Sequence, residues 1–228
     1  KEVKFIIFHY TGMKKENQAI TRLTNTKSKV SSHYLIKNNG EILTLVPDLY
    51  VAWHAGVSSW KNYKSINKYS IGIEISNPGH EYSYKKFSKK QIKSVLKLSS
   101  YLIKKYKIKS NFILGHSDIS PDRKKDPGEK FPWKYLSKNK IGFWHNLNEK
   151  KLVKNRNQKI DKSDKDKFIK NILKLGYPKN ILYNKNEYLE LLTTAFQRRF
   201  RQELVNGIID QECLIISDNL VKNSNKSS

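Results

Sequence analysis

The stretch GHSDISPDRKKDPGEKFPW at residues 115–133 carries the side chains in this sequence that are best suited to chemistry. It contains His116 and Asp126, with Pro121 between them and Pro127 directly after the aspartate. A proline disfavours helical backbone in the residue before it, so Asp126 is expected to be held in an extended conformation. The stretch predicts either a turn-rich surface loop or a loop that holds the ligands of a cation.

A second histidine lies in a comparable position. His9 follows the apolar run VKFIIF and His116 follows NFILG, so each is expected where a buried strand opens into a loop. Cys213 is the single cysteine, so a metal would be held by His, Asp or Glu. His9, His116 and Asp126 would form a three-ligand zinc set that leaves a fourth position for water. The alternative is that both histidines are hydrogen-bonded groups of the core.

Glu74 lies within the alternating segment YSIGIEIS. Ile71, Ile73 and Ile75 share one face of this predicted strand, and Gly72 and Glu74 share the other. If the second face lines a cleft, Glu74 is placed to act as a general base, and Gly72 leaves room for a close approach to the backbone. An edge strand with a solvated face is the alternative.

Strand-like and helix-like segments alternate along residues 1–147. SSHYLIKNNGEILTLV predicts a hairpin that turns at Asn-Asn-Gly, and Ser88 with Gln91 forms a capping-box pattern before a long apolar helical stripe. Such alternation predicts a sheet covered by helices, in an α/β or α+β domain. Residues 148–163 contain few large apolar side chains and predict a solvated linker, residues 164–222 a small three-helix domain, and residues 223–228 a disordered tail.

The composition limits the kinds of partner that are expected. The chain has 228 residues and a formal net charge of +25, but its lysines are spread along the whole sequence instead of forming one basic helix or arm. We therefore expect no nucleic-acid partner, and an anionic polymer remains a compatible substrate. No apolar run reaches the roughly 18–20 residues of a membrane span, so no transmembrane segment is predicted.

Several blocks of the first 147 residues occur in the order of a known family. FIIFHYTG, SSHYLI, VAWHAG, NKYSIGIEISN and the 115–133 stretch resemble the amidase-2 family of zinc-dependent N-acetylmuramoyl-L-alanine amidases, and in particular its AmiD-like members. The resemblance implies an α/β fold with a mixed central sheet flanked by helices, as in peptidoglycan recognition proteins. It also implies Zn²⁺ held by His9, His116 and Asp126, Glu74 as the catalytic carboxylate, and Lys124 as the cation that stabilises the oxyanion.

The substrate-binding residues are predicted from the same blocks. His54 is expected at the cleft rim, and Trp53, Trp60 and Trp133 offer faces on which a sugar ring could stack, with core packing as the alternative for each tryptophan. His33 is expected to be a packed, hydrogen-bonded histidine.

The C-terminal helical segment resembles a second family. LGY, AFQRRF and NGIIDQECL are similar to blocks of the peptidoglycan-binding domain type 1, a three-helix cell-wall module. A plain helical appendage or a dimerisation unit is the alternative. Arg198, Arg199 and Arg201 are expected to meet anionic wall material or to form a solvated face.

Together these resemblances imply an enzyme with a defined substrate. It would hydrolyse the amide bond between the lactyl group of N-acetylmuramic acid and L-alanine in peptidoglycan or muropeptides. A non-catalytic recognition protein of the same fold is the alternative. The substrate points to the periplasm or cell envelope, and a cytoplasmic role remains open because no signal segment is visible.

Overall fold

A computed structural model describes residues 2–179 and 184–224 of the chain. The strands are β1 (Phe5–Tyr10), β2 (Tyr34–Ile36), β3 (Ile42–Thr44), β4 (Ser59–Trp60), β5 (Tyr63–Lys64), β6 (Ser70–Ile75) and β7 (Ile113–Gly115). Five of them form one sheet in the order β3-β2-β6-β1-β7, and β4 pairs with β5 in a separate ribbon. β3 runs antiparallel to β2, and the other neighbours are parallel. The expected mixed central sheet is confirmed.

Helices flank this sheet and follow it in the chain. They are α1 (Glu16–Thr24), α2 (Lys89–Tyr106), α3 (His116–Ile119), α4 (Trp133–Lys138), α5 (Glu149–Leu152), α6 (Lys162–Leu175), α7 (Lys185–Phe200) and α8 (Gln211–Ser224). α2 begins with the predicted capping box, in which Gln91 N–H donates to Ser88 Oγ and Ser88 N–H donates to Gln91 Oε1. None of the helices in the described ranges is both long and apolar enough to cross a bilayer.

The two faces of β1 belong to two different hydrophobic clusters. Ile6 and Phe8 pack with the apolar side of α2, whereas Phe5 and Ile7 join a cluster that continues into the C-terminal helices. All four side chains are fully buried, as expected for a strand of a parallel sheet covered on both sides. Helices α6–α8 therefore pack on the rest of the fold and contribute to its core.

The segment 148–163 is more ordered than its composition suggests. It contains α5, the side chain of Leu152 is buried, and Arg156 donates two hydrogen bonds to the carboxylate of Glu212 on α8. Asn157 N–H also donates to Asp210 Oδ2, so the segment is attached to the helices although most of its side chains are exposed. α8 extends through the first two residues of the predicted tail, and residues 225–228 lie outside the described residues.

A buried ion pair joins α7 to the sheet. Arg199 donates one hydrogen bond to Asp118 Oδ2 and another, of 2.9 Å, to the carbonyl of Ile113. Tyr177 Oη donates to the other Asp118 oxygen at 2.8 Å. Arg199 and Asp118 are 3% and 1% exposed, so the arginine faces neither solvent nor wall material. Since Asp118 follows His116 by two residues, the C-terminal helices help to position the segment that carries this histidine.

Arg201 is also buried, which corrects the same expectation. Its guanidinium donates to Asp210 Oδ2 at 2.6 Å, and its side chain is 1% exposed. Both expected roles, contact with wall material and a solvated face, are therefore wrong for Arg199 and Arg201, because each pairs with a buried aspartate outside α7.

We expect Arg199→Met to lower the free energy of unfolding by about 3–5 kcal/mol, because it leaves the Asp118 carboxylate buried without its cation. Chemical denaturation of the full chain measures this change. Lys134→Met is the control, since Lys134 pairs with Glu149 at a largely exposed site, where an ion pair contributes about 0–1 kcal/mol. Equal losses in the two variants would contradict a structural role for the Arg199 pair.

Candidate metal centre and active cleft

Three side chains converge at the carboxyl ends of two neighbouring strands. His9 is the penultimate residue of β1, and His116 begins α3 directly after β7, which pairs with β1 in parallel. Asp126 lies in the loop after α3, and its carbonyl accepts a 2.9 Å hydrogen bond from Ser117 N–H, which ties the loop back to the helix. Parallel pairing therefore brings together ligands that are more than 100 residues apart in the chain.

The donor atoms form a nearly equilateral triangle. His9 Nδ1 lies 2.9 Å from His116 Nδ1 and 2.9 Å from Asp126 Oδ2, and His116 Nδ1 lies 3.1 Å from the same oxygen. Metal–ligand bonds of about 2.0–2.1 Å at tetrahedral angles place ligand atoms about 3.3 Å apart. The three buried side chains fit one small divalent cation, and two imidazoles with a carboxylate are a ligand set typical of zinc.

The tautomer of His116 follows from its second nitrogen. Nε2 lies 3.1 Å from the carbonyl oxygen of Ala55, which can only accept a hydrogen bond. Nε2 of neutral His116 therefore carries the proton, and Nδ1 presents a lone pair to the Asp126 carboxylate. Two acceptors that face each other at 3.1 Å repel unless a cation or a proton lies between them.

Burial and charge favour the protonation states that bind a metal. Burial, and next the charge of His116, lowers the pKa of His9 to about 4, although the hydrogen bond with Asp126 opposes the shift. Burial alone would raise the pKa of Asp126, but His116 and His9 outweigh it and hold this pKa below its usual range. A neutral imidazole and an ionised carboxylate result, and both are the ligating forms.

A cleft with a volume of about 600 Å³ lies over these three side chains. Its charged lining is mostly basic, with five cationic side chains against three acidic ones. The cations are Lys14, Arg22, Arg123, Lys124 and Lys125, and the acids are Glu74, Glu81 and Asp126. An anionic ligand is therefore favoured near the opening.

Glu74 is placed beside the triangle by strand register. β6 pairs with β1 so that Glu74 lies opposite His9, and Glu74 lines the cleft. Its Oε2 atom is buried and has no hydrogen-bond partner within residues 2–179 and 184–224. Burial, reinforced by the charge of Asp126, raises the pKa of Glu74 well above its usual range, and Lys124 and Arg22 partly offset the shift. A cleft carboxyl group whose pKa is raised by burial is a candidate for a general acid or base.

Lys124 also lines the cleft, and its side chain is half-buried. Its backbone N–H donates to the carbonyl of Ser120 at 3.0 Å, which fixes the turn after α3. The charge of Lys124 acts on both His9 and Glu74, so its ammonium lies within electrostatic range of the predicted reaction centre.

The four predicted substrate-binding residues divide into exposed and buried groups. Trp53 is 56% exposed and lines the cleft, where it can offer a ring face. Trp60 and Trp133 are 4% and 2% exposed, so neither can stack on a sugar. Trp60 packs edge-on against Tyr177, and Trp133 packs between Phe8 and the guanidinium of Arg199. The interpretation of these two as stacking faces was wrong, and the alternative, core packing, holds for both.

His54 reaches the cleft but uses its polar atoms inside the protein. Nδ1 lies 3.0 Å from His9 Nε2, and Nε2 lies 3.0 Å from Ser70 Oγ. The ring also fills the space above Gly72, where a Cβ atom would lie 2.4 Å from His54 Cγ. The close approach predicted at Gly72 is therefore made by His54, and neither ring nitrogen is left for a substrate. His33 is fully buried. Its Nδ1 accepts a hydrogen bond from Gly72 N–H and its Nε2 donates to the carbonyl of Tyr50, as expected for a packed histidine.

Sequence reasoning missed two groups near the cleft. Tyr10 Oη lies 2.9 Å from His80 Nδ1, and His80 Nε2 lies 3.1 Å from Glu129 Oε2. Arg123 donates hydrogen bonds to the carbonyls of Ala55 and Val57 and so braces the loop that accepts the His116 hydrogen bond. The available signals were the position of Tyr10 directly after His9 and the place of Arg123 within the Asp-Arg-Lys-Lys-Asp run.

Comparison with known proteins agrees with this geometry. The Amidase_2 family model, described as N-acetylmuramoyl-L-alanine amidase, matches residues 1–129, which is more than half of the chain. The chain belongs to this family. It is a hydrolase of the N-acetylmuramoyl-L-alanine amidase class, and the expected enzyme class is confirmed.

One of two similar curated proteins extends the similarity over almost the whole chain. The chain is 32% identical over 96% of its length to N-acetylmuramoyl-L-alanine amidase AmiD of Escherichia coli K12, of which it covers 83%. It is 41% identical over 48% of its length to 1,6-anhydro-N-acetylmuramyl-L-alanine amidase AmpD of Haemophilus influenzae, of which it covers 58%.

Solved structures with similar folds include complexes with muropeptides. E. coli AmiD with anhydro-N-acetylmuramic acid-L-Ala-D-γ-Glu-L-Lys superposes with a TM-score of 0.86 at 31% identity, covering 97% of this chain and 89% of that one. AmpDh3 of Pseudomonas aeruginosa with anhydromuramic pentapeptide gives a TM-score of 0.85 at 29% identity, covering 100% and 94%. Both similarities extend across the C-terminal helices.

The triangle predicts that the purified chain binds about one equivalent of a divalent metal ion. Either His116→Ala or Asp126→Ala should reduce the metal content to near zero, because the two remaining ligands would hold zinc weakly. Inductively coupled plasma mass spectrometry of dialysed protein measures the content. His80→Ala removes a histidine outside the triangle and should retain the metal. Full metal content in the His116 or Asp126 variant would contradict the assignment of these ligands.

Proposed function

We propose that the chain is a zinc-dependent amidase that hydrolyses the amide bond between the lactyl group of N-acetylmuramic acid and the L-alanine of the stem peptide, in peptidoglycan or muropeptides. The observation that carries this proposal is the triangle of His9, His116 and Asp126 below a cleft that also contains the partnerless oxygen of Glu74. The family membership supports the class of bond, and the triangle supports a metal-dependent hydrolysis of it.

His9 Nδ1, His116 Nδ1 and Asp126 Oδ2 would hold the zinc ion. When bound, Zn²⁺ supplies Lewis-acid polarisation of the scissile carbonyl and lowers the pKa of a water molecule. The protein residues around it then have to move one proton and to stabilise one developing negative charge.

Glu74 is proposed as the group that moves the proton. Its unpartnered oxygen can accept a hydrogen bond from the attacking water, and its raised pKa lets it keep the proton until the alanine nitrogen departs. Oε2 has no competing hydrogen bond among the described residues, so no protein contact must break before it acts. Protonation of the leaving nitrogen completes the hydrolysis and restores the carboxylate.

Lys124 is proposed to stabilise the oxyanion that forms on the lactyl carbonyl. The side chain is half-buried, and a cation in a partly desolvated cleft interacts with a developing charge more strongly than it would in water. The hydrogen bond from its backbone N–H to Ser120 limits the movement of the segment that carries it.

The muropeptide as substrate is supported by the cleft lining and by the relatives. A stem peptide carries several carboxylates, and Lys14, Arg22, Arg123 and Lys125 provide complementary charge around the opening. E. coli AmiD and P. aeruginosa AmpDh3, which have similar folds, have been solved with anhydromuramic peptides bound. We propose the same class of ligand for this cleft, with Trp53 as the exposed aromatic face.

The remaining parts of the proposal rest on sequence resemblance and on the substrate. A wall-binding role is proposed for residues 164–222 from their similarity to the peptidoglycan-binding domain type 1. Any such surface must lie on the outer sides of α6–α8, because their inner sides cover the core. The periplasm or cell envelope is the proposed location, since peptidoglycan is found there.

Glu74→Gln should retain bound zinc and lose about 10²–10⁴-fold in kcat, because the amide keeps the size of the side chain but cannot take up the proton. Mass spectrometry of muropeptides incubated with each protein measures the release of stem peptide, with and without a chelator. The wild-type chain should be active only without the chelator. Wild-type turnover by the Gln variant would remove Glu74 from the mechanism.

Lys124→Met should lower kcat by about 10²–10³-fold and change KM much less, because the lost charge acts mainly on the transition state. The matched control is Lys125→Met, which removes the neighbouring cation from the cleft rim and should leave kcat nearly unchanged. Similar kcat losses in the two variants would show that general positive charge, and not the position of Lys124, supports the reaction.

A further inference from the structure

A series of four hydrogen-bonded groups extends from the metal triangle into the core: His9, His54, Ser70 and the carbonyl of Ile66. His9 Nε2 lies 3.0 Å from His54 Nδ1, and His54 Nε2 lies 3.0 Å from Ser70 Oγ. Ser70 Oγ lies 2.8 Å from the carbonyl oxygen of Ile66. The three side chains are buried, so these contacts are shielded from water.

The direction of every hydrogen bond in this series follows from the Ile66 carbonyl at its end. The Ile66 carbonyl can only accept, so Ser70 must donate its single hydroxyl proton to it. Ser70 Oγ then accepts from His54, which places the His54 proton on Nε2 and leaves a lone pair on Nδ1. That lone pair accepts from His9 Nε2–H, and the lone pair of His9 is left on Nδ1, the atom that lies in the triangle.

Both the backbone and the ring of His54 are held in place. Asn67 Oδ1 accepts from the backbone N–H groups of His54 and Ala55, at 3.2 and 2.8 Å. Gly72 allows the ring to lie against β6, where any Cβ atom would overlap it. The ring cannot turn without losing its contact with His9 or with Ser70.

We propose that His54 is a positioning residue that fixes His9 as an Nδ1 ligand, and that Ser70 fixes His54 in turn. Histidine ligands of metals usually donate their other N–H to a carboxylate, a carbonyl or water. Here the acceptor is the neutral imidazole of His54, whose tautomer is set by Ser70. His9 is therefore oriented without a second carboxylate close to Asp126.

This inference rests on the metal-binding part of the proposed function and goes beyond it, because neither the family match nor the triangle assigns a role to Ser70 or Gly72. It predicts a difference between two replacements of His54. Asn offers an oxygen near the position of Nδ1 and can still accept from His9, whereas Phe fills the space but accepts nothing.

The test is chelator competition for Zn²⁺ with the full chain. His54→Phe should weaken the affinity about 10–100-fold, as loss of a hydrogen-bond partner of a metal ligand typically does, and His54→Asn should recover most of it. Ser70→Ala should weaken the affinity measurably, whereas Ser99→Ala, at another fully buried serine, should leave it unchanged. Thermal unfolding of each metal-free variant shows whether it is folded.

A second readout needs no metal. In ¹H–¹⁵N spectra of the metal-free protein at neutral pH, His9 should be the Nε2–H tautomer in the wild type and should lose this preference in folded His54→Phe. Equal zinc affinity for wild type and His54→Phe, equal effects of the two serine variants, or an unchanged His9 tautomer would overturn the inference. So would absence of zinc binding by the wild type, whereas zinc binding without hydrolysis would overturn only the proposed function.

Discussion

The structure depends on the convergence of three lone pairs in a place with little water. Two imidazole nitrogens and one carboxylate oxygen lie within 3.1 Å of one another, and at least the His116 nitrogen and the carboxylate repel without a cation between them. Several contacts hold these groups together. Parallel pairing of β1 and β7 places the two histidines side by side. The carbonyl of Ala55, in a loop held by Arg123, fixes the His116 ring, and buried hydrogen bonds fix the other ring nitrogens.

The C-terminal helices take part in the same scaffolding. Arg199 reaches from α7 to Asp118, two residues after His116, and the cation also bonds the carbonyl of Ile113 on β7. The helices therefore cover a hydrophobic face of the sheet and fix the backbone that carries one ligand. Two solved structures that match 97% and 100% of the chain have a similar overall fold, with TM-scores of 0.86 and 0.85.

Much of the active cleft could be predicted from the sequence because local patterns specify it. Apolar runs that end in His9 and His116 indicate neighbouring strand ends, and the alternation around Glu74 correctly separates its face from that of the isoleucines. Local patterns could not predict which side chains are buried by residues far away in the sequence. Arg199 looks like a surface residue on its helix, since its partner lies 81 positions earlier. Trp133 is buried by Phe8, Phe131 and this arginine, which come from three different parts of the sequence.

The central claim is most directly tested by anomalous X-ray diffraction at the zinc absorption edge, from crystals of the full chain grown with zinc. The account predicts one strong peak about 2.0–2.2 Å from His9 Nδ1, His116 Nδ1 and Asp126 Oδ2, open to the cleft on its remaining side. A zinc peak bound elsewhere, or histidines that ligate through Nε2, would contradict it.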